Sequence, residues 1–199
     1  MVRKARIAVL VSGGGTNLQA LIDAQKSGII GSGEIVLVIS NKAGAYALER
    51  AANAGIKTET VIKKETPDFE GRLIGLLEEN CIDVIVLAGF MSILSERFTS
   101  RFEKRILNVH PSLIPSFCGE GFYGLRVHQA ALDYGVKVTG ATVHFVNEIP
   151  DGGQIIMQKA VEIQPDDTPE ALQKRVMEQA EWIILPLSVE KVCKEITEG

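Results

Sequence analysis

The sequence predicts a single-domain α/β protein with a twisted, mostly parallel sheet flanked by helices, and with an antiparallel strand late in the chain. Over residues 1–110, short apolar runs alternate with helical patterns, an order typical of right-handed βαβ units. Two strand-like segments then follow each other beyond residue 135, joined by the turn-rich NEIPDGG. A length of 199 residues, without a repeat or a linker, favours one domain.

Hydrophobic periodicity defines the elements of the first half. Branched apolar runs predict strands at 6–11, 35–39, 58–62, 83–88 and 106–109. Apolar residues at helical spacing predict helices at 17–26, 45–54 and 67–80. Gly55 is typical of the residue that follows the end of a helix, and Pro67 is typical of the start of one.

The second half has fewer and longer elements. Val136–Val146 and Gln154–Ile163 alternate as strands do, and LRVHQAALDYG is amphipathic. Residues 169–197 predict a helix that is bent or broken by Pro186.

Composition excludes several classes of protein. The net charge of −4 and the pI near 5.5 argue against a nucleic-acid binder. No apolar run approaches the 18 residues of a membrane span, and the first apolar run ends in glycines rather than at a signal cleavage site. Cys81, Cys118 and Cys193 lack metal or redox spacing. We therefore expect a soluble, cytoplasmic protein with reduced thiols.

A glycine loop, SGGGTNL, joins the first strand to the first helix. Free N–H groups at a helix N-terminus bind anions, and glycines let a phosphate approach the backbone. Leu18 replaces the third glycine of a dinucleotide fingerprint, and no acid ends the second strand. Without a Gly-Lys-Ser/Thr P-loop, the loop predicts a site for a single phosphate on Gly15, Thr16 and Asn17. The alternative is a tight turn without a ligand.

A polar pair ends the fifth strand. Asn108 and His110 are two residues apart, so their side chains point to the same side of the strand. Ligands of open α/β sheets bind at this carboxyl end. Asn108 could donate to an oxyanion and His110 could carry a proton, although His110 could also be a hydrogen-bonded turn residue. Taken alone, Asp151 predicts only a turn.

The other two histidines give weaker signals. His128 lies in the amphipathic segment and predicts a structural role, whereas mid-strand His144 is compatible with either role. No acid stands beside the histidines at ligand spacing, so no metal site is expected.

Six motifs, in order across the chain, carry a family resemblance: SGGGTNLQA, SNKAGAYALERA, VLAGFMSIL, ILNVHPSLIPSF, VTGATVHFV and IPDGGQII. Together they resemble the phosphoribosylglycinamide formyltransferases, the folate-dependent enzymes of de novo purine synthesis. The resemblance implies a Rossmann-like formyltransferase fold, with a phosphate-binding half at 1–110 and a folate and catalytic half at 111–199.

The resemblance also implies the reaction and the role of each residue. The amine of glycinamide ribonucleotide would attack the formyl carbon of 10-formyltetrahydrofolate, without a metal. Asn108 would stabilise the oxyanion, His110 would be the general acid and Asp151 would sustain its protonated state. The supporting residues would be Ser112, Thr142 and His144.

Two sets of binding residues follow from the same resemblance. The ribonucleotide would lie on Gly15, Thr16, Asn17 and Glu181. The folate would lie against Phe90, Met91, Ser92, Ile93, Leu94, Asn108, Asn147, Glu148, Ile149, Pro150 and Asp151.

The chain departs from its relatives at several positions. The folate-binding arginine that relatives often carry would fall near Thr66, and Glu181-Trp182 replaces the usual Glu-His. Lys174, Arg175 and Gln179 are the candidates for a further phosphate ligand. Residues 116–126 predict a surface flap near the substrate.

Three alternatives remain. A methionyl-tRNA formyltransferase would need an RNA-binding domain and a basic face. A formyltetrahydrofolate hydrolase would carry a regulatory domain before the first strand, which here begins at Arg6. A non-catalytic phosphate-binding module would use only the loop. The expected partners are the two small-molecule substrates, without nucleic acid or membrane, and the chain would be a monomer or homodimer.

Overall fold

Seven strands form one sheet in the computed structural model, which describes residues 3–199. The strands are β1 (Ala5–Val11), β2 (Gly33–Ser40), β3 (Lys57–Thr60), β4 (Val84–Leu87), β5 (Ile106–His110), β6 (Val138–Phe145) and β7 (Ile155–Glu162). Met1 and Val2, which the predicted domain includes, lie outside the described residues.

Seven α-helices connect or flank these strands in the described part of the chain. They are α1 (Thr16–Ser27), α2 (Tyr46–Asn53), α3 (Phe69–Glu79), α4 (Glu96–Arg101), α5 (Leu125–Tyr134), α6 (Pro169–Val176) and α7 (Trp182–Glu198). A π-helical turn, Met177–Glu181, joins α6 to α7. No helix among residues 3–199 combines the length and the apolar character needed to cross a bilayer.

The sheet has the order β3-β2-β1-β4-β5-β6-β7. Strands β1 to β5 pair in parallel, whereas β6 is antiparallel to both β5 and β7. The predicted fold class is therefore confirmed. The parallel strands place the loops after β1, β4 and β5 at one edge of the sheet, where ligands of α/β proteins bind.

The sheet is covered on both faces, as the buried strand β1 illustrates. Ile7, Val9 and Val11 belong to one apolar cluster with α1 and α7, while Ala8 and Leu10 belong to a second with α3 and α4. A continuous apolar run, rather than an alternating one, is typical of such a doubly covered strand.

The sequence pattern misses helix α4. This six-residue helix is too short to establish a period, but Phe98 within it and Phe102 directly after it are both buried. Their ring centroids are 5.2 Å apart, and both rings pack into the second apolar cluster with α3. Burial against the sheet stabilises a helix that would not form alone.

The interruption of the last helical segment is misplaced in the sequence prediction. Pro186 lies inside α7, and the helix continues through it. The α-helical pattern is broken earlier, at the π-helical turn Met177–Glu181. This turn contains neither glycine nor proline, the residues that mark a break in a sequence, so it could not be predicted.

Candidate active site

Four polar side chains share one face of the antiparallel pair β5–β6. Asn108 lies opposite His144, and His110 lies opposite Thr142. The residues between them, such as Leu107 and Val143, point to the other face and join the first apolar cluster. Strand alternation therefore separates a polar face from an apolar one, and strand pairing brings Asn108 and His144 together.

The orientation of Asn108 follows from its hydrogen bond to His144. Nδ1 of His144 lies 2.7 Å from the carbonyl oxygen of Phe145, an acceptor, so Nδ1 carries the proton. In a neutral ring, Nε2 is then an acceptor, and it lies 3.3 Å from Nδ2 of Asn108. The amide of Asn108 keeps a second N–H for another acceptor.

His110 is buried between two acceptors. Its side chain is 5% exposed, and its Nδ1 lies 3.4 Å from Oδ2 of Asp151. On the other side of the ring, Nε2 lies 2.9 Å from the carbonyl oxygen of Phe117. Only the imidazolium ion has a proton for both acceptors.

Asp151 reaches this pair from the turn between β6 and β7. Its backbone is left-handed, with φ of 55°, a conformation that Asp and Asn tolerate better than most residues. The carboxylate accepts a hydrogen bond from the N–H of Gly119 and lies 3.5 Å from Nε2 of His144. A Cβ on Gly153 would lie 1.8 Å from the oxygen of Phe145, so the DGG turn requires a glycine there.

The local electrostatics favour an ionised Asp151. Burial alone would raise its pKa, but the adjacent His144 ring, the hydrogen bond from the Gly119 N–H and the charge of His110 lower the pKa below its ordinary value. The pKa of His110 is lowered because burial outweighs the opposing effects of Asp151 and the Phe117 carbonyl. Asp151 favours the protonated His110, but its effect is smaller than that of burial.

A cleft of about 130 Å³ opens beside these residues. Its walls include all the residues predicted to bind folate except Met91: Phe90, Ser92, Ile93, Leu94, Asn108, Asn147, Glu148, Ile149, Pro150 and Asp151. Leu87, His144 and Val146 complete the lining. The backbone N–H of Met91 instead donates to Ser12, which ties this wall to the end of β1.

The glycine loop lies at the same sheet edge, before α1. Gly15 caps α1 with φ of 72°, and a Cβ there would lie 2.6 Å from the Cβ of Ala47. Its conformation and its close contact with α2 both require glycine. The loop therefore presents the first N–H groups of α1 at its surface, as an anion site needs.

Glu181 connects the loop to the π-helical turn. Its carboxylate accepts a hydrogen bond from Nδ2 of Asn17 at 2.8 Å, although the two residues are far apart in the sequence. Glu181 is 6% exposed, and burial raises its pKa.

A comparison with known proteins identifies the fold family. Residues 5–188 match the formyl transferase family. The chain belongs to this family.

Individual formyl transferases show how far the similarity extends. The chain is 45% identical over 197 residues to the phosphoribosylglycinamide formyltransferase of Haemophilus influenzae, covering 98% of this chain and 88% of that protein. It resembles the crystal structure of glycinamide ribonucleotide transformylase 1 from Symbiobacterium toebii, with a TM-score of 0.90 and 39% identity, covering 96% of this chain and 89% of that one.

Longer proteins contain a related segment. The chain is 46% identical over 193 residues to the human trifunctional purine biosynthetic protein adenosine-3. The matched region covers 96% of this chain but only 18% of the human protein.

Two basic side chains of this formyl transferase that were predicted as candidate phosphate ligands pair with acidic residues of the chain instead. Arg175 forms an ion pair with Asp167 and also donates to the carbonyl of Glu162. Lys174 lies near Glu178 on the helix surface. The basic side chain that contacts the loop is Arg50, whose Nε donates to the carbonyl of Gly14 at 2.8 Å.

Sequence reasoning also missed three residues that lie around His110 or support the segment beside it. Phe117 and Gly119 act through backbone atoms, which carry no residue-type signal. Gln158 donates from β7 to Thr142 and to the carbonyl of Ile114. All of these contacts depend on the path of residues 112–119.

Proposed function

We propose that this chain transfers the formyl group of 10-formyltetrahydrofolate to the amine of N1-(5-phospho-D-ribosyl)glycinamide, a step of purine biosynthesis in the cytoplasm. The observation that carries the proposal is the meeting of Asn108, His110 and Asp151 beside an open cleft. The 45% identity to a phosphoribosylglycinamide formyltransferase along nearly all of both chains supports this substrate pair.

Asn108 stabilises the intermediate in this proposal. When the amine nitrogen attacks the formyl carbon, an electron pair of the carbonyl bond moves to oxygen and forms an oxyanion. The Asn108 N–H that His144 does not use can donate to this oxygen. Because His144 fixes the amide beforehand, little reorganisation is needed at the moment of reaction.

His110 supplies the proton for the second step. The bond between the formyl carbon and N10 breaks, and N10 takes a proton as tetrahydrofolate leaves. The electron pair of the oxyanion re-forms the carbonyl bond as N10 leaves. The proton that the attacking amine loses restores His110, so the reaction consumes no proton overall. Asp151 stabilises the imidazolium ion through its negative charge.

The two substrates would lie on separate surfaces. The N–H groups of Gly15, Thr16 and Asn17 would hold the phosphate of the ribonucleotide, and Glu181 would accept hydrogen bonds from its sugar or glycinamide end. The pteridine of the folate would lie in the cleft beside Phe90 and the 147–151 loop. Neither binding site requires a metal ion, and the formyl donor acts as a co-substrate.

An absorbance assay tests the proposal. Purified protein is mixed with 10-formyl-5,8-dideazafolate, with and without glycinamide ribonucleotide. Turnover that requires the ribonucleotide is the expected result. Turnover without it would instead indicate the hydrolase. No turnover, with the ribonucleotide still raising thermal stability, would indicate a phosphate-binding module and would overturn the catalytic assignment.

A further inference from the structure

Residues 112–119 follow the catalytic strand β5 and curve around His110. The segment provides the carbonyl of Phe117 to His110 and the N–H of Gly119 to Asp151. Phe117 has a left-handed backbone with φ of 49°, which is unfavourable for a residue with a bulky side chain. Surrounding contacts must therefore hold this conformation.

Ser112 and Thr142 provide the buried contacts. The Ser112 hydroxyl donates to the carbonyl of Ser116 at 2.5 Å and lies 3.4 Å from that of Phe117. The Thr142 hydroxyl donates to the carbonyl of Ser112 at 2.7 Å. Both side chains are fully buried, where a polar group without a hydrogen-bond partner destabilises the fold.

Gln158 completes the arrangement from the edge strand β7. Its Nε2 donates to the Thr142 hydroxyl at 2.9 Å and to the carbonyl of Ile114 at 3.0 Å. Thr142 also accepts a hydrogen bond from the N–H of Ile114. With one donor and two acceptor positions in use, the hydroxyl of Thr142 has no capacity left.

We propose that Ser112 and Gln158 are positioning residues for the transfer step, which hold the Phe117 carbonyl against Nε2 of His110 and leave Nδ1 facing Asp151. The inference rests on the proposed function, because it gives His110 the task of a general acid. Neither residue needs to touch a substrate, and each acts through the path of residues 112–119.

The consequence is a higher population of protonated His110. Burial disfavours the cation, whereas each acceptor beside the ring raises the pKa of His110. The titratable groups that face His110 are Asp151 from the β6–β7 turn, His144 from β6 and His128 from α5. Asp151 alone favours the cation among these three, and the Phe117 carbonyl is the second favourable group.

Ser112→Ala and Gln158→Leu test the proposal. Ser112→Ala removes a buried hydroxyl, whereas Gln158 lies on the exposed edge strand, where a substitution leaves the core intact. There are two matched controls. Ser116→Ala removes an exposed hydroxyl from the same segment, and Gln154→Leu changes an exposed glutamine directly before β7.

Titration of His110, followed by NMR of the imidazole nitrogens, is the first measurement. We expect a lower pKa in both test variants and an unchanged pKa in both controls. The rate limb that requires protonated His110 should shift to lower pH by about half a pH unit or more, with kcat near pH 8 reduced about threefold to tenfold. The Michaelis constants should change less than about twofold. A uniform loss of rate at every pH, with an unchanged His110 pKa, would overturn the proposal.

Thiol labelling is the second measurement, and it reports on the segment itself. Cys118 lies between Phe117 and Gly119 and is partly exposed, and Cys81→Ser removes the exposed thiol that would compete with it. In that background we expect Cys118 to react at least about threefold faster in both test variants, because the segment opens more often. Equal rates in test and control variants would also contradict the proposal.

Neither titration nor labelling requires formyl transfer. If His110 and Cys118 respond as expected in a protein that does not transfer the formyl group, the proposed function fails and the positioning role of Ser112 and Gln158 is retained only as a structural one. If transfer occurs and neither group responds, the proposed function is retained and this inference fails.

Discussion

The glycine loop and the polar cluster around His110 lie at the same sheet edge, but they are built in opposite ways. The loop is one contiguous stretch, Ser12–Leu18, and offers backbone N–H groups at an exposed surface. The cluster draws on β5, on residues 117–119, on β6 and on the β6–β7 turn, and it offers buried side chains. The two therefore suit different tasks, because exposed N–H groups bind an anion whereas buried groups change one another's pKa.

This difference predicts separable effects on kinetics. Damage to the cluster should lower kcat, and damage to the loop should raise the Michaelis constant of the phosphorylated substrate. Substitutions at His110, Asp151 and Gly15 test that separation, and one at His128 tests the effect of burial alone.

His110→Ala should have the largest effect. Loss of the general acid should reduce kcat by at least about 100-fold, with little change in either Michaelis constant, because the ring is buried and contributes little binding surface. Steady-state kinetics with both substrates provides the measurement. Near-normal turnover would contradict the role of His110.

Asp151→Asn should reduce kcat by about tenfold and shift its pH limb. The carboxylate favours protonated His110, so its removal lowers the pKa of His110. As the pH rises, the rate of the variant should therefore begin to decline at a lower pH than the rate of the unmodified protein. Asn tolerates the left-handed backbone at this position, so the turn is preserved. An unchanged pH profile would mean that Asp151 serves only the turn.

Gly15→Ala should raise the Michaelis constant of the ribonucleotide by about tenfold, since the added Cβ meets Ala47 and displaces the N–H groups. The constant for the folate should change less than about twofold. Gly14→Ala is the matched control, because a Cβ there meets nothing within 4 Å. Equal effects on both substrates would contradict a phosphate-binding role for the loop.

His128→Leu should leave the kinetics at pH 7.5 nearly unchanged and alter the acid sensitivity of the fold. His128 is fully buried, with no partner for either ring nitrogen among residues 3–199, and burial and nearby His110 lower its pKa to about 4. The unfolded chain binds the proton more readily, so this residue destabilises the fold as the pH falls below about 6.5.

Urea unfolding at pH 7.5 and pH 5 measures this effect. The unmodified protein should lose about 2 kcal/mol more stability between these values than the variant. An identical loss in both proteins would contradict the lowered pKa. Together with His110→Ala, the variant would show that burial perturbs both histidines, whereas only the one with two acceptors serves catalysis.

The glycine loop is contiguous in the sequence and the cluster is not, so more of the loop could be predicted from the sequence. The loop could be placed from the order of strand, glycines and helix. Because it lacks the dinucleotide and P-loop motifs, the predicted ligand was a single phosphate. Asn108 and His110 could be placed on one side of a strand by their spacing. For Asp151, the turn was visible but its position beside His110 was not, and only the family resemblance joined the two.

Other features had no signal in the sequence. The carbonyl of Phe117 and the N–H of Gly119 contribute without regard to side-chain type, and the π-helical turn that precedes α7 lacks a helix-breaking residue. The sequence makes Arg175 a candidate for a phosphate ligand, but it does not reveal that the guanidinium pairs with Asp167. Each of these features depends on contacts between segments that lie apart in the chain.

The sequence by itself determined the α/β class, the parallel pairing of the first five strands and the location of the glycine loop, because these depend on local periodicity and on consecutive residues. The tertiary structure decided which groups surround His110 and which of its protonation states they favour. Strand pairing aligns Asn108 with His144, and two returning loops bring Phe117 and Asp151 to opposite sides of one ring. The pKa of a buried group depends on such neighbours and on the exclusion of water, and both arise only when distant segments pack together.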